Sequence, residues 1–246
     1  LNQLIASVLH KLCKIMVRKA ICVSYVSKYV QGLYPTRNHN CEWVFSSVKL
    51  DDKVFTKPRS FNSKNNFNII SVGRIEPEKG HHILIAALIR LLNEGLNITA
   101  KIIGPGKEID NLRNVISANN YQNKILLVGT VPWGEDLFRY LDEVDLFVLP
   151  SLTEGMPRAL LEAMARGLPA IGSDTGGIKE LLDDQFRAKP ADSVELADKI
   201  RRLINNQKLL EEMSKKNYEK ALEYRKEIMQ ERKLSFWNCI KNNVGK

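Results

Sequence analysis

The sequence predicts an α/β fold: a doubly wound, Rossmann-like parallel sheet with helices on both faces. Three observations carry this. From Asn66 onward, short β-branched apolar runs alternate with segments of helical period. The connections are short, so strand follows helix in about six successive βα units, which implies a parallel sheet covered on both sides. Strands are stopped by glycine or proline, as at Gly73, Gly104-Pro105-Gly106 and Pro150.

In chain order, Phe67–Val72 reads as the first strand, and 82–92 as a helix through Ile83, Leu84, Ala87, Leu88, Leu91 and Leu92. Ile98–Ile103 is the next strand, followed by a helix through Ile109, Leu112, Val115 and Ile116. Then come a strand at 125–128, a helix at 135–144, a strand at Leu146–Leu149, a helix at 158–166 and a strand at 168–171. A short helix at 178–182 and longer ones at 194–204 and 209–232 complete the pattern. Pro157 suits the first helical position, where its missing N–H costs nothing, and Gly167 suits the residue just past the helix end. Upstream, 20–24 reads as a strand, 27–33 as a short helix and 43–48 as a strand, too little for a domain of its own. The Asn-rich stretch 62–68 reads as a linker.

Charge is unevenly placed. Residues 1–68 hold eleven Lys/Arg against Glu42, Asp51 and Asp52, a surplus of eight in a chain of net charge +9. Leu1, Leu4, Ile5, Val8, Leu9, Leu12, Ile15 and Met16 keep helical spacing beside Lys11, Lys14, Arg18 and Lys19. Such a helix either packs on its own domain with its basic residues in water, the preferred reading, or lies peripherally on an anionic membrane. No nucleic-acid motif accompanies the basicity, so nucleic acid is not an expected partner. No apolar run reaches 18 residues. The chain begins at Leu1 and reads as a fragment lacking its natural start. Cys13, Cys22, Cys41 and Cys239 share no metal-ligand spacing and are expected to be free thiols in a reducing, cytoplasmic setting.

In a doubly wound sheet the chemistry gathers at the carboxyl ends of the strands. Gly73-Arg74 follows the first strand, and Lys79-Gly80 precedes its helix, placing two cations where helix amides already favour an anion. A phosphate-binding pair and a solvated surface pair are both compatible with this stretch. Gly104 opens a strand-to-helix turn without the full GxGxxG pattern. The segment Ser-Leu-Thr-Glu-Gly-Met-Pro-Arg-Ala-Leu-Leu-Glu at 151–162 is the most informative. The amides of Gly155, Met156 and Arg158 are placed to meet a ligand, and Glu154 and Glu162 can accept from hydroxyl groups. His81 and His82 are adjacent, cannot share one helix face, and read as surface or supporting residues.

The ordered set Gly73-Arg74, Lys79-Gly80, Gly104-Pro105-Gly106, Val128-Gly129-Thr130, Glu154 to Glu162 and Ser173 to Gly177 with Glu180 resembles the signature of family 4 retaining glycosyltransferases. The resemblance covers about residues 20–230. It implies the C-terminal, donor-binding half of a GT-B fold: a remnant of the N-terminal acceptor-side domain in 1–50, a nucleotide-sugar-binding domain in 51–217, and a C-terminal helix in 218–246 packing toward the N-terminal domain. It implies sugar transfer from a nucleotide-diphosphate donor with retention and without a metal or cofactor, UDP- rather than GDP-linked, in surface polysaccharide or glycoconjugate synthesis. Arg74 and Lys79 would bind the diphosphate and, with Glu154, form the catalytic set. Glu154 would contact the sugar, the following amides the phosphate or sugar, and Glu162 the ribose, with Gly73 and Gly104 close by. Thr130 and Val131 would border the base. An acceptor sugar or lipid-linked glycan would bind the missing domain, leaving this fragment inactive alone. A nucleotide-sugar-binding module or an epimerase of the same fold is the alternative. One departure stands out: the segment Val-Phe-Ser-Ser-Val-Lys at 44–49 replaces the usual Ile-Pro-Asn-Gly-Val-Asp near the hinge. Phe236 and Trp237 are expected to be exposed on the last helix.

Overall fold

The computed structural model describes residues 2–62, 65–204 and 206–244; Leu1 and two linker residues, Ser63 and Lys64, lie outside them. The elements are α1 (Asn2–Lys19), β1 (Val23–Tyr25), α2 (Lys28–Leu33), β2 (Glu42–Val44), β3 (Phe67–Val72), α3 (His81–Asn93), β4 (Ile98–Ile103), α4 (Ile109–Ala118) and β5 (Ile125–Gly129). They continue as α5 (Glu135–Asp142), β6 (Leu146–Leu149), α6 (Arg158–Ala165), β7 (Ala170–Ser173), α7 (Ile178–Leu181), β8 (Arg187–Ala188), α8 (Ser193–Ile204), α9 (Gln207–Leu222) and α10 (Lys226–Val244).

The six-stranded sheet is parallel throughout, in the order β5-β4-β3-β6-β7-β8. The chain winds outward from β3 to β5, returns to place β6 on the other side of β3, and winds outward again. The order therefore reverses between β3 and β6, where ligands bind in open α/β sheets. Both faces are covered, as expected from strands apolar on both sides. One is packed by Leu84 and Leu88 of α3, Ile116 of α4, Ile200 of α8 and Met213 of α9. The other is packed by Phe138 of α5, Leu160, Leu161 and Met164 of α6, and Met229 of α10.

Several boundaries differ from the sequence reading for identifiable reasons. Pro157 is the residue before α6, in extended conformation, and helical geometry starts at Arg158. Strand 168–171 becomes Ala170–Ser173 because Gly167 (φ 65°) and Leu168 close α6 onto the Met164 and Ala163 carbonyls; sheet pairing begins with the Pro169 carbonyl. The two-residue strand β8 is too short to show a period. Residues 209–232 are two helices, not one. Tyr224 and Lys226 bracket Leu50 in a parallel bridge, Leu50 donating to the Tyr224 carbonyl (3.1 Å) and Lys226 to the Leu50 carbonyl (3.0 Å). Backbone groups spent on that bridge are unavailable to a continuous helix.

β1 and β2 form a separate parallel pair against which α10 packs. Phe236 is half-buried against Phe45, with ring centroids 5.7 Å apart, rather than exposed; Trp237 is exposed. The free-thiol expectation holds for exposed Cys13 only. Cys22, Cys41 and Cys239 converge, with Cys41 in bonding contact with both others.

Arg59 fastens the segment entering the sheet domain. Its guanidinium donates to the Arg166 carbonyl at 2.9 Å, Val144 at 2.9 Å and Leu141 at 3.0 Å, while its amide donates to Ser214 Oγ at 2.7 Å. These carbonyls lie at or just beyond the C-terminal ends of α5 and α6, where helix carbonyls lack partners within the helix and a cation is favoured. Burial lowers the Arg59 pKa, and Asp142 opposes the shift. Arg59→Ala would leave three acceptors unsatisfied, and urea unfolding is expected to show a loss of about 3 kcal/mol. Arg59→Lys should recover only part of it, since one ammonium cannot reproduce the fork.

Candidate functional site

The loops leaving β3 and β6 meet at the strand-order reversal. After β3 the chain runs through Gly73 and Arg74 to a 3₁₀ turn, Pro77–Lys79, and enters α3 through Gly80. Gly80 is left-handed (φ 67°), and a Cβ there would overlap the Pro150 carbonyl, so this approach of the two loops requires glycine. Across it, Leu152 donates its amide to the Glu78 carbonyl at 2.8 Å.

Two side-chain sets form. In the first, Lys79 Nζ and Ser151 Oγ both donate to Glu154 Oε1 at 2.7 Å. Ser151 is fully buried, and the Lys79 and Glu154 side chains are 20% and 9% exposed. A pair so withdrawn from water holds a defined geometry in a way an exposed pair does not. In the second, Glu162 Oε1 accepts from Arg158 Nε at 2.7 Å and from the Trp133 indole at 2.6 Å. Glu162 is 3% exposed, although it lies on a helix that opens toward the strand ends. The Arg158 guanidinium also stacks over the Trp133 ring at 5.1 Å, and Lys53 lies over it at 4.7 Å.

The loop between these sets is pinned. Gly177 donates to the Gly155 carbonyl at 2.8 Å, and Thr175 Oγ1 to the Leu152 carbonyl at 3.3 Å. A Cβ on Gly176 would overlap the Glu154 carbonyl, which accounts for the Gly-Gly pair ahead of α7. The Gly155 and Met156 amides donate to no acceptor among the described residues. A fixed loop carrying spare amides at the start of α6 can receive an anion with little reorganisation.

The remaining candidates are placed as follows. Arg74 is largely exposed and pairs with Glu78 at 3.1 Å, not with Glu154. Gly73 and Gly104 pack backbone to backbone, and a Cβ on Gly104 would overlap the Gly73 carbonyl. Thr130 and Val131 follow β5 and border an open cavity of about 480 Å³ with Lys101, Pro132, Arg139 and Tyr140. Neither glutamate nor Lys79 lines it. His81 is buried rather than on the surface, behind Gly73, and neither ring nitrogen has a partner among the described residues.

Sequence reasoning missed Trp133 and Ser151. Trp133 had one visible signal, a tryptophan in the loop after β5 next to Val131-Pro132, but its reach to Glu162 spans two strands of the sheet. Nor was Glu180 assigned a contact; its Oε1 accepts from the Tyr29 amide at 2.7 Å, joining α7 to α2.

The family model for "Glycosyl transferases group 1" matches residues 52–220. This chain belongs to that family. Protein CapJ of Staphylococcus aureus is 28% identical over 223 residues, covering 90% of this chain and 56% of CapJ. An Escherichia coli UDP-Gal:alpha-D-GlcNAc-diphosphoundecaprenol alpha-1,3-galactosyltransferase is 35% identical over 126 residues, half of this chain and 32% of that protein. The chain thus spans about half or less of these relatives' length. The crystal structure of Anabaena HepE in complex with UDP-glucose superposes with a TM-score of 0.76 at 22% identity, covering 93% of this chain and 68% of HepE, which establishes a shared fold. The fold is that of GT-B glycosyltransferases. No helix among the described residues is long and apolar enough to cross a membrane.

The buried His81 gives a pH dependence with a definite sign. Burial first, then Lys79 and His82, lowers its pKa from 6.5 to about 4. Between those values the unfolded chain binds a proton that the folded chain rejects, so this stabilisation is complete above pH 6.5 and falls away on acidification. Urea unfolding of wild type should lose about 2 kcal/mol more between pH 7 and pH 5 than that of His81→Leu. Equal losses would show that His81 is not buried neutral.

Proposed function

We propose that this chain is the donor-binding half of a retaining GT-B glycosyltransferase of family 4, taking a UDP-sugar in the synthesis of a surface polysaccharide or related glycan. The observation that carries this is the pinned loop from Ser151 to Met156. It couples Lys79 to Glu154 and leaves two amides at the start of α6 without an acceptor among the described residues. Residues 51–217 would form the nucleotide-sugar domain. Residues 1–50 and 218–246 would belong to, or pack toward, the acceptor side, and the Leu50 bridge joins these two segments to each other.

In this reading Lys79 exchanges its bond to Glu154 for the donor diphosphate, joined by the Gly155, Met156 and Arg158 amides. Arg74, exposed and paired with Glu78, swings in as the second cation, with Gly73 and Gly104 allowing close approach of backbone. Glu154, freed from Lys79, accepts from sugar hydroxyls. The cations and helix amides then stabilise charge on the departing nucleotide diphosphate, the largest electrostatic demand of the reaction. Glu162 takes the ribose diol and the Thr130-Val131 backbone borders the base. Trp133 occupies Glu162 in the unliganded site and must yield it to the ribose, which places the indole beside the base. The acceptor would be a sugar or lipid-linked glycan, as in the substrate named for the E. coli relative. Without the acceptor side this half alone would bind the donor and not transfer it.

Calorimetry with UDP and chelator present should show binding, weakened about tenfold to a hundredfold by Lys79→Ala or Glu162→Gln through loss of a charge-assisted hydrogen bond. Unchanged affinity in both variants would sink the site assignment. Adding UDP should shift the indole emission, and Trp133→Phe should remove that change while Trp43 and Trp237 remain. Transfer is tested on the protein with its N-terminal half in place: UDP release must require an acceptor, and NMR of the product should show the donor's anomeric configuration kept. Acceptor-independent conversion of the donor to an epimer would favour an epimerase instead.

A further inference from the structure

Three cysteines far apart in sequence meet outside the site described above. Cys22 precedes β1, Cys41 ends the 3₁₀ turn before β2, and Cys239 lies within α10. Their sulfurs lie within 4.8 Å of one another. Cys41 is fully buried, while Cys22 and Cys239 are half-buried. Cys41 Sγ is in bonding contact with both others. One sulfur cannot form two disulfides, so any pairing would leave the third thiol stranded against it. A thiophilic cation satisfies all three at once.

We propose that Cys22, Cys41 and Cys239 form a three-thiolate site for a structural Zn²⁺ ion. Zinc with bonds of about 2.3 Å holds tetrahedrally placed sulfurs about 3.8 Å apart. The Cα separations, 4.7 Å for Cys22–Cys41 and 6.1 Å for Cys41–Cys239, let χ1 rotation open the sulfurs to that spacing. Soft thiolate ligands select zinc and copper(I) over hard cations. A fourth position remains for water. The surroundings include a donor within reach of the sulfur: one turn along α10, Asn243 Nδ2 donates to the Cys239 carbonyl at 2.8 Å and to Cys239 Sγ at 3.5 Å. Donation to a ligand sulfur stabilises the thiolate and orients it.

The site would tie together the two ends of the described chain. α10 rests on β2 and the His39–Cys41 turn; Met229 anchors its first turns in the core and Phe236 packs on Phe45, while Leu234 and Trp237 are exposed. An ion shared by residues 198 positions apart closes a long loop, which is where a cross-link constrains the unfolded chain most. Because the ligands are thiolates present together only in the folded state, metal binding adds to folding stability.

The 246-residue chain, fully reduced and handled without oxygen, should retain one Zn²⁺ per chain after gel filtration, measured by mass spectrometry of the metal. Co²⁺ in its place should show a thiolate-to-metal charge-transfer band. Cys13→Ser should keep both signals, and Cys239→Ser should lose the zinc and most of the band. Circular dichroism checks that this variant is folded; if it is not, the cobalt band of the wild-type chain alone decides. Zinc should raise the melting temperature of wild type by several degrees and leave Cys239→Ser unchanged. Reduced wild type that retains no zinc above the Cys22/Cys41/Cys239→Ser variant, or a cobalt complex without the thiolate band, overturns the proposal. So does a Cys41 disulfide found by peptide mapping in a chain that binds no zinc once reduced.

Discussion

The neighbourhood of β3 and β6 is the constraint on which the candidate site rests. These strands are joined by two intervening βα units, yet they pair directly, with Ile69 opposite Leu146 and Ile70 opposite Phe147. That single register places the loop carrying Lys79 against the loop carrying Ser151 and Glu154. The Gly80–Pro150 approach and the bond from Leu152 to the Glu78 carbonyl then hold them at contact distance. A side chain on Gly80, or a slip of the β3–β6 register, would separate the cation from the carboxylate without altering either residue.

Charge in the site is balanced internally. Lys79 answers Glu154, Arg158 answers Glu162, and Arg74 answers Glu78. Glu154 and Glu162 are buried carboxylates that would be costly without a partner, so Lys79 and Arg158 stabilise the site; the Arg74–Glu78 pair is exposed and contributes little. In the proposed reading, a nucleotide diphosphate would bind by exchanging these partners rather than by creating charge contacts from nothing. The rigid parts are backbone: the loop pinned by Thr175 and Gly177 and the amides of Gly155 and Met156.

Away from that edge the fold depends on clamps between segments distant in sequence. Arg59 gathers carbonyls at the ends of two helices, and Leu50 splits α9 from α10 by pairing with Tyr224 and Lys226. The same region brings α10 back to β2, so Phe236 covers Phe45 and Cys239 reaches Cys41. The packing there is local to Phe45 and its neighbours.

By itself the sequence determined the doubly wound sheet, most of its strands and helices, and the residue types at the strand ends, because periodicity and glycine or proline punctuation are local properties. Leu146–Leu149 and Ile98–Ile103 were legible to the residue for this reason. It also marked Arg74, Lys79, Glu154 and Glu162 as an ordered set, but not which of them touch. Tertiary structure decided that Lys79 meets Glu154 while Arg74 does not, that Trp133 closes on Glu162, that His81 is buried, and that helix 209–232 breaks at Tyr224. It also drew three cysteines without shared spacing into one cluster. Each of these depends on two or more segments that only the folded chain brings side by side, and no local pattern records a partner so far away.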